Sequence, residues 1–148
     1  MYLVVNLGLK SIRGIVFNDD GKQMYASSRA VYSKLIGDKV EQDATEWKSK
    51  LESILQEIGS IDFLNDKIEY ITSTTSSSCI YGVNNEGNPL TKVMMVSDKR
   101  ASKEAEEIEH IIRTKNSSSK LNCPASSIIP KALWHKRNKP KTFDNITH

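Results

Sequence analysis

The residues best suited to chemistry lie near the start, in Val4-Val5-Asn6-Leu7-Gly8-Leu9-Lys10-Ser11-Ile12-Arg13. A strand ending in a small polar residue, then glycine, a turn and a second strand, can handle phosphate. Gly8 lets the backbone come close to a ligand. Amide N–H groups and the Ser11 hydroxyl in the turn can face phosphate oxygens. A carboxylate at the strand end would hold a water on Mg²⁺. Any tight β-hairpin shows the same pattern, so both readings stay open on these residues alone.

Other reactive side chains give less. Cys79 and Cys123 are far apart and neither sits in a C-x-x-C pattern, so metal and redox motifs lack support. Reduced cysteines and the absence of a basic n-region before an apolar run lead us to expect a cytoplasmic protein. His110 sits among helix charges, His135 is expected on an exposed helix face, and His148 is terminal. Trp47 and Trp134 read as packing residues. Lys131, Lys136, Arg137, Lys139 and Lys141 read as a solvated cationic face. Aromatics are sparse there and the formal net charge is only +3, which argues against nucleic acid as a partner. No apolar run is long enough to span a bilayer.

The elements that must position these residues follow from periodicity. Tyr2 to Leu7, Ile12 to Phe17 and Lys22 to Tyr32 read as three strands of an antiparallel meander. Asn18-Asp19-Asp20-Gly21 forms the second turn, with Gly21 at positive φ. Ala44 to Ile58 changes to helical spacing, with Trp47, Leu51, Ile54, Leu55 and Ile58 on one face. Asp43 suits its N-cap and Gly59 its stop. Ile68 to Ser73 and Cys79 to Val83 read as strands, and Val93 to Val96 is another apolar run. Ala101 to Arg113 reads as a helix with Ala101, Ala105, Ile108, Ile111 and Ile112 inward. A third helix begins across Lys131 to Lys136 and ends at Pro140. About five strands and three helices make one α/β lobe with a mixed sheet and no interdomain linker.

Four blocks, in order and covering nearly the whole chain, resemble the FGGY carbohydrate kinases. The segment around Asn6-Leu7-Gly8 resembles their first phosphate motif, Asp-x-Gly-Thr-Ser/Thr-Ser with a Lys/Arg two residues on. Val40-Glu41-Gln42-Asp43 with Trp47 resembles E-Q-D-P-x-x-W. Gly87-Asn88-Pro89-Leu90, then Met94 to Ala101, resembles G-x-P-L followed by I-L-W-x-D-x-R-A. Ala125 to Trp134 with Pro140 resembles the A/S-P-K-L-L-W segment and its following proline. The resemblance, at the level of xylulose- and ribulose-kinase-like members, implies the ribonuclease-H-like fold of the actin and hexokinase superfamily. It also implies transfer of phosphate from ATP, with Mg²⁺, to a sugar or polyol hydroxyl in a cleft between two lobes.

Carried over residue by residue, the resemblance makes Gly8 the phosphate-loop glycine, Ser11 a loop hydroxyl and Arg13 the basic position after it. Ser77 and Ser78 match a strand-end site where ribulose-kinase-like members carry small polar residues; local backbone bonding is their other reading. Asp98 and Arg100 match the D-x-R pair, suited to sugar hydroxyls or to pairing with each other. The Asn6–Gly8 hairpin and the Asp98/Arg100 strand end are expected to converge on one edge of a single sheet.

The departures fall in the chemical motif. Asn6 stands where the family has Asp, so the metal position loses its charge. Leu9 and Lys10 replace two hydroxyl positions; Lys10 can supply positive charge, Leu9 cannot donate. Val96 replaces a Trp. In the family the catalytic-base Asp lies later in the first lobe, and the second phosphate motif and adenosine site lie in the second lobe. The expectation is therefore residues 1–148 as the N-terminal part of the sugar-binding lobe, with no catalytic residue of its own, and the remaining C-terminal part of the kinase as its partner. The alternative is a degenerate, non-catalytic sugar-binding or assembly module, with self-association into a homodimer as one form.

Overall fold

A computed structural model describes all residues, Met1–His148. In chain order the elements are β1 (Tyr2–Leu7), β2 (Ser11–Phe17), β3 (Gln23–Ala30), β4 (Lys34–Ile36), β5 (Lys39–Gln42), α1 (Ala44–Gly59), β6 (Tyr70–Thr75), β7 (Val93–Met94), α2 (Ser102–Lys115), α3 (Ile128–Asn138) and α4 (Pro140–Phe143). They fall into two compact units, Met1–Tyr32 with Thr45–Ser76, and Ser33–Ala44 with Ser77–His148. The division is discontinuous in sequence, so no linker composition marks it.

The first unit holds a mixed sheet in the order β3-β2-β1-β6. β1 pairs antiparallel with β2 and parallel with β6. The expected meander is present. Its second turn is closed by Asn18, whose Oδ1 accepts the N–H groups of Asp20 and Lys22, and by Gly21 at φ +75°. Alternation puts Leu3 and Val5 of β1, and Ile12, Gly14 and Val16 of β2, on a buried face. Ile54 and Ile58 of α1 lie against that face at Gly14: a Cβ there would stand 2.6 Å from Ile54 Cγ2. Glycine is thus what lets the helix approach the sheet. Leu55, expected on this face, is exposed. At about 100° per residue Trp47, Leu51, Ile54 and Ile58 cluster within about 60° of one another, and Leu55 falls at the margin of that face.

The second unit holds a small antiparallel sheet, β4-β5-β7, with three helices. The β4–β5 hairpin went unread because Lys34–Ile36 is exposed throughout and shows no burial alternation. The expected strand over Cys79 to Val83 is instead two isolated bridges, Ile80 to Met94 and Val83 to Pro89. Ser78 at φ +63° starts the segment out of extended conformation. Buried Val93, Met94, Met95, Ala101, Ala105, Cys123 and Pro130 form the core. Of the inward positions expected on α2, Ala101 and Ala105 are buried and Ile111 is exposed. α3 starts at Ile128, earlier than expected. Pro130 is tolerated because it falls in the first turn, where N–H groups have no intrahelical partner.

Candidate functional site

The β1–β2 turn is a tight hairpin. The Gly8 N–H donates to the Ser11 carbonyl at 3.0 Å. A Cβ on Gly8 would lie 3.0 Å from that oxygen and 3.1 Å from Asn6 Oδ1, so any side chain would crowd the turn. Arg13 Nε donates to Ser11 Oγ at 3.0 Å, which orients the guanidinium along the strand. Lys10 and Arg13 are exposed, as is Leu9. The register aligns Thr74, Asn6, Arg13 and Ser28 across four strands. With period-two alternation this polar row lies on the sheet face opposite Gly14 and α1. All five residues expected around phosphate, Asn6, Gly8, Lys10, Ser11 and Arg13, are thus on one hairpin.

The turn fits phosphate and Mg²⁺ unequally. Lys10 and Arg13 carry exposed positive charge that attracts an anion, while the Gly8 N–H is spent on the Ser11 carbonyl. A directly held Mg²⁺ does not fit: Asn6 offers a neutral carbonyl, and no group of three or more His, Cys, Asp or Glu side chains is arranged to hold a metal.

Asp98 and Arg100 belong to a different sheet. They follow β7, not the edge of the sheet that carries Asn6 and Gly8, so the expected convergence on one sheet edge is not how the chain is built. The two residues bind each other. Arg100 Nε and Nη2 donate to both Asp98 oxygens at 2.6 to 3.1 Å. The Val40 N–H donates to Asp98 Oδ2 at 2.8 Å and the Arg100 N–H to Oδ1 at 3.1 Å. Burial alone would raise the Asp98 pKa; the bonds from Arg100 and Val40 outweigh it and hold the carboxyl below its ordinary value. Arg100 also reaches Glu41 at 2.7 Å, and its guanidinium lies over the Trp134 ring at 5.0 Å. Asp98 ties the backbone at Val40 to the stretch after β7, with its oxygens committed to protein partners.

Ser77 is exposed. Ser78 is half-buried in a left-handed conformation that costs an L residue about 1–3 kcal/mol. What holds it is Lys131. That side chain is fully buried, and its ammonium donates to the Ser78 carbonyl at 2.7 Å and the Met95 carbonyl at 2.8 Å. The expectation of a solvated Lys131 is therefore corrected, and burial lowers its pKa. His135, expected on an exposed face, is also buried, one turn along the same face of α3. Burial, then the Arg100 charge, lowers its pKa. The signal for both was their i, i+4 spacing beside Pro130 and Trp134; residue type alone pointed to solvent. Lys136, Arg137, Lys139 and Lys141 are exposed, as expected of the basic tail.

Comparison with known proteins follows this geometry. Residues 1–148 match the description "FGGY family of carbohydrate kinases, N-terminal domain". No curated protein sequence matches the chain. Solved structures do. A xylulose kinase from Brucella ovis is 17% identical with a TM-score of 0.85 over 98% of this chain and 31% of that one. A xylulose kinase from Rhodospirillum rubrum is 17% identical with a TM-score of 0.84 over 97% and 30%. A gluconate kinase from Lactobacillus acidophilus is 15% identical with a TM-score of 0.81 over 98% and 30%. At such identities the likeness is one of fold, the mixed α/β fold expected from the sequence. This chain spans about a third of each of those proteins. No helix is long and apolar enough to cross a membrane.

Proposed function

Because the chain belongs to the FGGY family of carbohydrate kinases, as its match over residues 1–148 shows, we propose that it is the N-terminal part of the sugar-binding lobe of an ATP-dependent sugar or polyol kinase, xylulose- or ribulose-kinase-like. In this reading it does not complete the reaction alone: the rest of the enzyme supplies the general base and the nucleotide lobe. The observation that carries it is the match along the whole chain, with four motif blocks in family order. ATP, when bound, supplies the phosphoryl group.

The chain's own residues divide the work. Lys10 and Arg13 attract phosphate to the β1–β2 turn, Gly8 lets that turn close tightly, and Ser11 orients Arg13. Ser77 and Ser78 offer hydroxyls to the sugar, on a segment anchored by Lys131. Asp98 and Arg100 act through position, by tying β5 to the stretch after β7. The test is phosphorylation by the full chain joined to its downstream coding segment, over a panel of pentoses, hexoses and polyols. Turnover of at least one is expected; ATP consumption with none would refute the reading.

Asn6 and exposed Leu9 favour one second reading, a non-catalytic sugar-binding or assembly module, dimeric in one form. Calorimetry with ATP·Mg²⁺ and the same panel separates the two. Sugar binding without nucleotide binding by the joined protein favours this second reading.

A further inference from the structure

The second unit contains a cavity of about 350 Å³ that the kinase reading does not use. Lys39, Glu41, Lys92, Arg100, His135 and Lys139 line it, with Trp134 among the apolar lining. Its volume is at the small end for metabolite sites, which run from about 300 to 1,000 Å³. Four cations face one carboxylate.

Pairing decides which charges are free. Arg100 is taken by Asp98 and Glu41. Lys92 pairs with Asp43. Lys39 and Lys139 make no ion pair, so the rim carries uncompensated positive charge. The wall is built rather than loose. The Arg100 side chain is only 7% exposed and is fixed between Asp98, Glu41 and the Trp134 ring. His135 is 8% exposed, and neither ring nitrogen has a hydrogen-bond partner in the protein. An orphaned buried imidazole beside a cationic cavity has a reason to be there if an anion sits nearby. Sulfhydryl or metal chemistry has no residues here to support it.

We propose that this cavity binds the dianion of a small phosphate monoester, with Lys39 and Lys139 as its counter-charges and Arg100 and Trp134 as its fixed wall. The proposal is independent of the sugar and phosphate assignments above, because it uses none of their residues except Arg100, and that only as a wall. The groups whose charges act on His135 are Arg100, Glu41, Asp98 and Lys139. Burial, then the Arg100 charge, lowers its pKa; an anion in the cavity would act against the Arg100 charge and raise it.

The test is an NMR titration of the full chain with inorganic phosphate, against sodium chloride at equal ionic strength. Saturable shifts confined to Lys39, Trp134, His135 and Lys139, with an upward displacement of the His135 titration, are expected. The double variant Lys39→Ala/Lys139→Ala should weaken binding about tenfold, a loss that charge-assisted contacts can account for. Both lysines are exposed, so folding should survive, and Lys139→Arg should bind like the parent. Lys22→Ala/Lys115→Ala, two exposed lysines away from the lining, serves as control and should change nothing. Non-saturating shifts, shifts reproduced by chloride, or undiminished binding in the Lys39/Lys139 variant would overturn the proposal.

Discussion

The β1–β2 turn and the Asp98–Arg100 knot treat similar chemical groups in opposite ways. At the turn, Lys10 and Arg13 stand in solvent, Leu9 is exposed, and the Gly8 N–H donates to the Ser11 carbonyl. At the knot, a buried carboxylate takes bonds from a guanidinium and two backbone amides, and the buried Lys131 ammonium of α3 donates to two carbonyls. Three of the four departures from the family pattern, Asn6, Leu9 and Lys10, are at the turn, while Asp98 and Arg100 keep it at the knot. Burial explains the difference. Changing a buried, fully bonded charge leaves its partner orphaned, while changing an exposed turn residue leaves only water. The knot is therefore committed to the fold in a way the turn is not.

The comparison breaks most decisively at Asp98. Asp98→Ala strands Arg100 beside Glu41 alone and frees the Val40 amide, and should cost about 3–5 kcal/mol. Urea unfolding measures it, and a loss below about 1 kcal/mol would place the knot with the exposed turn rather than against it.

An intermediate case sharpens the contrast. Glu57 on α1 accepts from Tyr25 at 2.6 Å and Ser27 at 2.9 Å and pairs with Arg29, on a half-exposed sheet surface. The Tyr25 hydrogen bond first, then those of Arg29 and Ser27, lower its pKa from 4.5 to about 2. A depressed carboxyl pKa stabilises the fold fully above pH 4.5, and that contribution is lost as pH falls through about 2. Glu57→Gln should be less stable than the parent at neutral pH, with the gap narrowing between those two values. Acid titrations followed by circular dichroism read this directly; parallel curves across the range would remove Glu57 from the account.

The smallest effect belongs to the turn itself. Leu9→Thr restores a hydroxyl at an exposed position and should change stability by no more than about 0.5 kcal/mol. Thermal unfolding checks it, and a loss of several degrees in Tm would show that the turn is as structurally committed as the knot.

Much of this molecule could be read in advance where local pattern and environment agree. The meander, the Asn18–Gly21 turn, α1 ending at Gly59 and the interruption at Pro140 follow from alternation, helical period and the backbone limits of glycine and proline. The β1–β2 hairpin was legible for the same reason, since Asn6, Gly8, Lys10, Ser11 and Arg13 lie within one continuous segment.

Non-local pairing was decided elsewhere. No local signal says that β6 runs parallel to β1, that the Lys34–Gln42 stretch forms a hairpin joined to Val93–Met94, or that the chain divides into two units, each discontinuous in sequence. Nor does residue type reveal that Lys131 and His135 are interior. A lysine can be buried only where the tertiary structure brings carbonyls to its ammonium, and Ser78 and Met95, 53 and 36 residues away, do so. Composition and period could name the elements; only the assembled backbone could say which charges would find partners.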